Sequence, residues 1–532
     1  MTLSQPSSTA PTASDLPKAT SGEAEVGALL TSKSTLKLAQ GHRDGDYRVT
    51  SLAALARDLA SGVITSRALT ETMLARIADP DGQGSRVFIH VDADRALAMA
   101  DAADAARRAG VVLSPLHGVP VSIKDLFDVA GEVTRAGSVV LRDAPAARHD
   151  AEAVARLRRA GAVLIGRTNM SEFAFSGVGL NPHFGHPLAP YRRAAQTVSG
   201  GSSSGAAASV ADGMAAVALG TDTGGSLRIP AAFCELTGFK PTARRVPSTG
   251  AFPLSTTLDS IGPIGLSVDC CEIVDRVLSG GSTWRTDGSR DAADDAVSFR
   301  TGTRTVHASD TRHSGVPFGP KPLAGRRFGV LRNFMFNDAD ETVARTFERT
   351  LHALAAAGAD LVDFTFDALD RLPEINRIGI SSIESYAYHQ PLLDRSAQYD
   401  PRVLFRIMKG ETARASEYLD LLAERRRMIE GAALAFAPFD AVLCPTVPIA
   451  PPTVADLADD AAFFRINGLI LRNPSVINFI DGCALSLPCN RPGETPVGLM
   501  IAGVANRDAD ILGLGRRVEA ALHDLRGVNP LQ

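Results

Sequence analysis

The chain has 532 residues, and its 45% hydrophobic and 21% charged residues are typical of a folded globular protein rather than a disordered or fibrous one. Its 55 basic and 59 acidic residues are mixed along the chain and give a formal net charge of −4, so we expect neither a nucleic-acid partner nor an anionic membrane surface. No uncharged apolar stretch reaches the length of about 18 residues that a membrane span requires.

The N-terminal segment differs in composition from the rest of the chain. Residues 1–48 are rich in Ser, Thr, Ala and Pro, which predicts a disordered tail. The segment lacks a basic start followed by an apolar core, so it does not resemble a secretory signal, and we expect a cytoplasmic protein. Structured sequence is predicted over 49–525, beginning with helices, because apolar residues recur at intervals of three and four between Leu52 and Arg108.

Strands and helices alternate in the next part of the chain. The segment GVPVSIKD at 118–125 reads as a short strand, and a helical pattern over 152–160 separates it from a second strand at 162–166. This alternation predicts an α/β sheet with helices on both faces. A polar region at about 280–322 has no clear period and predicts an insertion or a long surface loop. Strand and helix patterns resume after it and continue to a helix near 508–525.

Two loops rich in glycine and serine are the most informative part of the sequence. The first, SGGSSSG at 199–205, places three serines before an Ala-rich helix, where free amide groups and the helix dipole favour negative charge. The second, TDTGGS at 221–226, ends in a serine and precedes another predicted helix. Glycines before a serine allow several backbone N–H groups to converge on one point, as an oxyanion hole requires.

A serine hydroxyl needs a neighbouring base before it becomes a good nucleophile. Neither loop contains a histidine: His117 precedes the first strand, and His183 and His186 lie between prolines and glycines. Nothing local therefore supports a Ser/His/Asp triad, although one sequence does not exclude it. Lys124 at the end of the first strand is the alternative base, because burial can lower a lysine pKa from about 10.4 to roughly 7–8.

The sequence predicts neither a metal nor an organic cofactor. Its six cysteines form no CxxC pair, so we expect buried free thiols rather than a zinc or redox site. His183 and His186 have HxxH spacing without an acidic partner in the motif, so a structural role is favoured over metal binding. The absence of a GxxxxGK[ST] pattern counts against a nucleoside triphosphate site.

Three motifs together resemble the signature region of the amidase signature family of serine amidases. They are GVPVSIKDLFDVAG, SGGSSSGAAASVA and GTDTGGSLRIPAAFCELTGFKPT. The resemblance continues through TLDSIGPIG, DAVLCPTVPIAPP, NPSVINFIDGCALSLP and PVGLMIAG, and so covers about residues 50–525. It implies one large domain with a central mixed β-sheet of many strands covered by α-helices on both faces. It also implies a small-molecule amide substrate and no cofactor, and it is compatible with a homodimer.

The resemblance assigns the catalytic roles. It implies that Lys124 is the base, that Ser202 is the bridging serine in a cis peptide, and that Ser226 is the nucleophile that carries the acyl group. The oxyanion hole is expected to consist of the backbone N–H groups of Thr223, Gly224, Gly225 and Ser226. The flanking residues expected to hold the loops by hydrogen bonds and charge pairing are Ser203, Asp222 and Arg228.

Three functions remain open at this point. A stand-alone amidase hydrolyses an amide to an acid and ammonia or an amine, whereas the A subunit of a transfer-RNA-dependent amidotransferase releases ammonia from glutamine for a partner. That subunit's pattern reads RQP after the nucleophile, but here Arg228 is followed by Ile229 and Pro230, and residues 176–182 are not rich in Ser and Thr. We therefore favour a stand-alone amidase. The third alternative, a non-enzymatic binding protein, fits poorly with an intact catalytic set.

One segment of the second half bears on specificity. Residues 384–389, which include Tyr386 and Tyr388, either line a substrate pocket or pack in the core, since aromatic residues at helical spacing are compatible with both. Specificity is also expected from the loops around 170–187.

Overall fold

The computed structural model describes residue 49 and residues 51–281 and 321–526. The predicted tail at 1–48 lies outside the described residues, and so does nearly all of the polar region at 280–322. Both therefore stay predictions from composition.

One sheet runs through the described part of the chain. Its eleven strands are β1 Phe88–His90, β2 Pro120–Lys124, β3 Val163–Thr168, β4 Val217–Asp222, β5 Thr237–Lys240, β6 Ser260–Gly265, β7 Arg327–Leu331, β8 Asp360–Phe364, β9 Ala441–Pro445, β10 Cys483–Pro488 and β11 Gly498–Gly503. In space they follow the order β1-β3-β2-β4-β6-β5-β10-β11-β9-β7-β8. Strand β2 is parallel to β3 and β4, and β7 is parallel to β8 and β9. The other neighbouring pairs are antiparallel, so the sheet is mixed.

Helices cover this sheet. Those of the described residues are α1 Leu52–Ser61, α2 Ser66–Ala78, α3 Gly84–Val87, α4 Ala93–Arg108, α5 Glu152–Arg159, α6 Ser204–Ala211, α7 Arg228–Phe233, α8 Val268–Leu278, α9 Glu341–Ala356, α10 Leu372–Ile375, α11 Ile380–His389, α12 Pro401–Met408, α13 Ala415–Phe436, α14 Asp460–Phe479 and α15 Asp508–Arg526. The helices predicted at 152–160 and 508–525 correspond to α5 and α15, and the strand predicted at 162–166 corresponds to β3.

Local sequence explains where helices begin. Ser51 caps α1, because its Oγ accepts the backbone N–H of Ala54 at 3.1 Å. Ser267 caps α8 in the same way through the N–H of Cys270 at 3.3 Å. Helix α6 begins at Ser204, so the last two residues of the segment 199–205 belong to its first turn.

The central strands are buried on both faces. Every residue of β2, β4, β10 and β11 is buried, which is the pattern of strands covered by helices on both sides. One apolar core joins α1, α5 and β3 through Leu52, Leu157 and Ile165. Another joins β7, β10 and α15 in the second half of the chain. The α/β class and the single large domain with a mixed sheet are thus confirmed.

Strand direction brings Lys124 and the second Gly/Ser loop to one edge of the sheet. Because β2 and β4 are parallel neighbours, with Ile123 opposite Leu219, their carboxyl ends lie side by side. Lys124 is the last residue of β2 and Asp222 is the last residue of β4. The second Gly/Ser loop follows β4 directly, so Lys124 and this loop share an edge, which is where α/β sheets commonly place ligands.

Two other sequence predictions can be compared with the fold. All six cysteines are buried and free, as predicted. Among the described helices, none combines the length and the hydrophobicity needed to cross a bilayer.

Candidate active site

Lys124 is a fully buried lysine whose amine lies between two hydroxyl groups. Its Nζ is 2.8 Å from Ser202 Oγ and 2.8 Å from Thr221 Oγ1. Burial lowers the pKa of this amine to about 7, although the charges of Asp259 and Asp222 act in the opposite direction. A substantial fraction of Lys124 is therefore neutral near pH 7, and a neutral amine has a lone pair that can accept a proton.

Ser202 is the one of the three consecutive serines whose hydroxyl contacts Lys124. The peptide bond between Gly201 and Ser202 is cis, and the Ser202 carbonyl accepts the N–H of Ser171 at 3.1 Å. Ser203 Oγ instead donates to the Thr221 carbonyl at 3.3 Å. Sequence reasoning selected Ser202 by motif alone, and the contact with Lys124 gives that selection a geometric basis.

The glycines of the first loop are needed for close packing of backbones. A Cβ added to Gly201 would lie 2.7 Å from the Gly179 nitrogen and 2.8 Å from Ser171 Oγ. Such contacts are shorter than van der Waals packing allows. Only glycine therefore lets the chain at 200–202 approach the segment that follows β3.

Ser226 lies in the loop between β4 and α7 and is 4% exposed. Its Oγ has no hydrogen-bond partner within the described ranges, so the contact with Ser202 that the implied relay needs is not made in this conformation. Gly225 before it has a φ of 126°, and a Cβ there would lie 2.5 Å from Ile229 Cδ1. Glycine at 225 thus allows the turn that presents Ser226.

The four predicted oxyanion donors differ in their availability. The N–H of Gly225 donates to Asp222 Oδ1 at 2.8 Å, so it is engaged within the protein. The N–H groups of Thr223, Gly224 and Ser226 have no backbone or side-chain acceptor in the part of the chain that the structure describes. Of the four predicted donors, three N–H groups are thus available in this conformation, and that of Gly225 is bound by the Asp222 carboxylate.

Asp222 and Arg228 form a fully buried ion pair behind the loop. Arg228 donates from Nε to Asp222 Oδ2 at 3.0 Å and from Nη2 to Oδ1 at 2.9 Å. Asn478 of α14 also donates to Asp222 Oδ1, at 2.9 Å. Burial alone would raise the pKa of Asp222, but the charge and hydrogen bonds of Arg228 hold it below its usual range. Asp222 also accepts the N–H groups of Gly225 and Leu227, so the ion pair is joined directly to the loop.

Thr223 is anchored by a residue that sequence reasoning missed. Its hydroxyl donates to Asp259 Oδ1 at 2.5 Å, and Asp259 Oδ2 accepts the N–H groups of Leu254 and Ser255 at 3.1 Å each. Burial raises the pKa of Asp259 to about 6, while these hydrogen bonds lower it. The motif TLDSIGPIG contains this aspartate, but a single sequence gives it no role.

The two histidines with HxxH spacing have protein partners. His183 Nε2 lies 2.9 Å from Glu172 Oε1, and His186 Nδ1 accepts the N–H of Asn181 at 3.1 Å. A search of the described residues finds no group of His, Cys, Asp and Glu side chains arranged to hold a metal ion.

Residues 384–389 belong to α11 and have mixed surroundings. Tyr386 packs against the apolar core, whereas the Tyr388 hydroxyl donates to Thr256 Oγ1 at 2.9 Å. Glu384 is buried and binds the segment around Thr257. The helix therefore contacts the segment 254–259, which lies next to Thr223.

Comparison with known proteins gives concordant results. The family model described as Amidase matches residues 68–512. A 2-amino-5-chloromuconic acid deaminase of Comamonas testosteroni is 34% identical over 489 residues, which cover 90% of this chain and 98% of that protein. The glutamyl-tRNA(Gln) amidotransferase A subunit of Roseiflexus sp. (strain RS-1) is 34% identical over 472 residues, covering 86% of this chain and 93% of that protein.

Solved structures agree with these relatives. The peptide amidase of Stenotrophomonas maltophilia superposes with a TM-score of 0.69 at 29% identity, and the match covers 91% of this chain and 98% of that one. Together the relatives support hydrolysis of a carbon–nitrogen bond as the class of reaction. Because the family match spans most of the sequence and the relatives align over nearly their whole length, the chain belongs to the amidase (amidase signature) family.

Proposed function

We propose that the chain is a stand-alone amidase that hydrolyses a small-molecule carboxylic acid amide through an acyl-enzyme on Ser226. The products are the acid and ammonia or an amine. The observation that carries the proposal is the 2.8 Å contact between the buried Lys124 amine and the Ser202 hydroxyl. Burial lowers the pKa of that amine to about 7, which suits a base that works near neutral pH.

The proposed reaction begins with two proton transfers. Neutral Lys124 takes the proton of Ser202, and Ser202 takes the proton of Ser226 as Ser226 Oγ forms a bond to the amide carbonyl carbon. This step requires Ser226 Oγ to turn toward Ser202 when substrate binds. The carbonyl oxygen becomes an oxyanion, which the free N–H groups of the 223–226 loop stabilise.

The remaining steps return the protons. Collapse of the tetrahedral intermediate breaks the carbon–nitrogen bond, and the proton held by Lys124 passes through Ser202 to the leaving nitrogen. A water molecule then gives a proton to the same relay and attacks the acyl carbon. The acid is released, and the Ser226 hydroxyl is restored.

The amidotransferase A subunit is the second candidate, because a relative with that name is as similar as the deaminase, at 34% identity. This chain differs from the sequence pattern of the A subunit at Ile229 and over 176–182, and both differences favour a stand-alone amidase. The two candidates differ in partner dependence. Glutaminase activity that appears only when a second subunit is added would contradict the proposal, whereas amide hydrolysis by the purified chain alone would support it.

The test of the proposal measures both turnover and the covalent adduct. A panel of aliphatic, aromatic and dicarboxylic amides is assayed with the wild type and with Ser226→Ala. We expect turnover by the wild type and at least about a 10³-fold loss in the variant, because no other group can carry the acyl chain. An active Ser226→Ala protein would contradict the proposal.

The relay is tested with a matched pair of serine variants. Ser202→Ala removes the hydroxyl that contacts Lys124, whereas Ser204→Ala removes a neighbouring buried hydroxyl that makes no such contact. A fluorophosphonate probe should label Ser226 in the wild type and in Ser204→Ala, and much more slowly in Ser202→Ala. Equal labelling rates in the two variants would show that Ser202 takes no part in the proton relay.

A further inference from the structure

The carboxylate of Asp259 connects the loop that carries the free N–H groups to the second half of the chain. We propose that Asp259 is a positioning residue that holds the Thr223 N–H in place through the Thr223 hydroxyl, and that Glu384 holds Asp259. This inference rests on the proposed function. It assigns a role in catalysis to two acidic residues that do not touch the reacting atoms.

The two oxygens of Asp259 have separate tasks. Oδ1 accepts the hydroxyl of Thr223 at 2.5 Å, while Oδ2 accepts the N–H groups of Leu254 and Ser255 at 3.1 Å each. The neighbouring Ser260 hydroxyl donates to the Asp222 carbonyl at 3.0 Å, so the start of β6 is joined to the end of β4 as well. The side chain of Thr223 is therefore fixed to a turn, and the turn is fixed to the sheet.

Thr223 is the residue whose position matters most in this connection. Its side chain is committed to Asp259, whereas its backbone N–H has no acceptor in the described residues and is left for an oxyanion. A short hydrogen bond to a carboxylate is among the stronger ones in proteins. It restricts rotation about the Thr223 backbone and thereby the direction of the N–H.

Glu384 fixes the same turn from helix α11. It is 8% exposed, and its carboxylate accepts the Ser255 hydroxyl at 2.5 Å and the N–H of Thr257 at 3.2 Å. The hydroxyls of Thr257 and of Tyr418 in α13 also donate to Glu384 Oε1. Four donors on one buried carboxylate satisfy its hydrogen-bonding capacity.

The segment 254–259 is bound by two carboxylates, that of its own Asp259 and that of Glu384 in α11. Burial raises the pKa of Asp259, and the charge of Glu384 adds to this effect because like charges repel each other. Neutral side chains could close the same turn without this repulsion. The two acids together hold the turn, and with it Thr223, in one position. A fixed position matters for catalysis, because small displacements of catalytic groups can lower rates by about 100-fold.

The first test measures the contribution of the Thr223 hydroxyl alone. Thr223→Val keeps the shape and the backbone N–H but removes the donor to Asp259, and Thr223→Ser restores it. We expect Thr223→Val to lower kcat by about 10- to 100-fold with little change in KM, and Thr223→Ser to recover most of kcat. Thr256→Val is the matched control. Among the described residues the Thr256 hydroxyl bonds only to Tyr388, so we expect this variant to keep kcat within about twofold of the wild type.

The second test asks whether Glu384 acts through Thr223. Glu384→Gln places an amide group opposite hydroxyl and N–H donors, so we expect a loss of kcat smaller than that of Thr223→Val. The double variant should be no slower than Thr223→Val alone, because both changes release the same group. Additive losses would show that Glu384 acts elsewhere and would overturn its part of the inference.

The rate of fluorophosphonate labelling at Ser226 gives a readout that needs no known substrate. We expect Thr223→Val to slow labelling about as much as it lowers kcat, while melting temperatures stay within a few degrees of the wild type. Equal labelling of wild type and Thr223→Val would overturn only the role of Asp259 and Thr223. Absence of labelling in the wild type would overturn the proposed function and this inference together, so the two failures are distinguishable.

Discussion

A single buried amine dominates the chemistry at the residue scale. Lys124 is 0% exposed, and its contacts are two hydroxyl groups rather than a carboxylate. Desolvation therefore outweighs the more distant charges of Asp222 and Asp259, and the pKa falls to about 7. A lysine in direct contact with an acid would stay protonated and could not act as a base.

The pH dependence of catalysis follows from this pKa. We expect kcat/KM to rise with pH through about 7 and to level off above it, because only neutral Lys124 can start the relay. The measurement is a pH–rate profile on the free enzyme. A profile that is flat from pH 5 to 9 would contradict a lysine base.

The same residue makes stability depend on pH. Lys124 has an ordinary pKa of 10.5 when unfolded and about 7 when folded, so the unfolded chain binds more protons between these values. Burying the protonated amine lowers the free energy of unfolding. This loss is complete below about pH 7 and disappears as the pH rises towards 10.5. We expect Lys124→Met to be more stable than the wild type at pH 6, with a gap that narrows by pH 10, as urea denaturation at several pH values would measure. A gap that does not change with pH would contradict this cause.

The sequence predicts a role for residues whose side chains are reactive in themselves. It does not predict a role for residues that act only through a contact made in the fold. Lys124 and Ser226 lie in motifs with glycine, strand and helix signals that a single sequence contains. Thr221 and Asp259 also lie in quoted motifs, but the sequence gives them no role, because each becomes important only through the side chain that it contacts in the fold. Gly225 was predicted as a donor because the sequence does not show that Asp222 accepts its N–H.

At the scale of elements, Arg228 joins three parts of the fold. It lies at the start of α7, pairs with Asp222 at the end of β4, and donates from Nη2 to the Pro474 carbonyl of α14 at 2.9 Å. Proline normally ends or kinks a helix, yet α14 continues from Asp460 to Phe479. The Pro474 carbonyl lies in the C-terminal part of this helix and accepts the Arg228 guanidinium.

Removal of the Arg228 guanidinium should lower the stability of the folded protein. Arg228→Met leaves the Asp222 carboxylate buried without its cation, and we expect a loss of about 3–5 kcal/mol in the free energy of unfolding. Arg345→Met is the control. The pair of Arg345 with Glu341 lies on the surface of α9, where the two side chains are 67% and 81% exposed. We expect its loss to lower the free energy of unfolding by less than about 1 kcal/mol. Urea denaturation followed by fluorescence or circular dichroism checks both. Equal losses in the two variants would contradict the role given to the buried pair.

The elements themselves were largely predictable, and their arrangement was not. Periodicity located α5, β3 and α15 because each has a regular local pattern. The order of the strands depends on pairs that are distant in the chain, such as Ala484 of β10 opposite Lys240 of β5. No local pattern encodes such a pairing, so the mixed sheet came only from the family resemblance.

At the scale of the whole molecule, the described residues before and after 282–320 form one sheet. Strands β5 and β10 pair across this division, and Arg228 contacts Asn478 at 2.6 Å. Limited proteolysis should cut first within 1–48 and 280–322, where composition predicts little regular structure. We expect the nicked chain to elute as one particle and still to label at Ser226, because the two fragments share a sheet. Early cleavage elsewhere, or separation of the fragments, would contradict this expectation.

The dependence of Arg228 on α14 also matters while the protein is being made. A nascent chain that has emerged as far as β9 already contains the lysine and both Gly/Ser loops, but it lacks Pro474 and Asn478, which lie 246 and 250 positions after Arg228. The Asp222–Arg228 pair behind the nucleophile loop therefore lacks its contacts with α14 until most of the chain has left the ribosome. We expect a chain that ends before α14 to hold this loop less rigidly and to be labelled more slowly at Ser226 than the full chain.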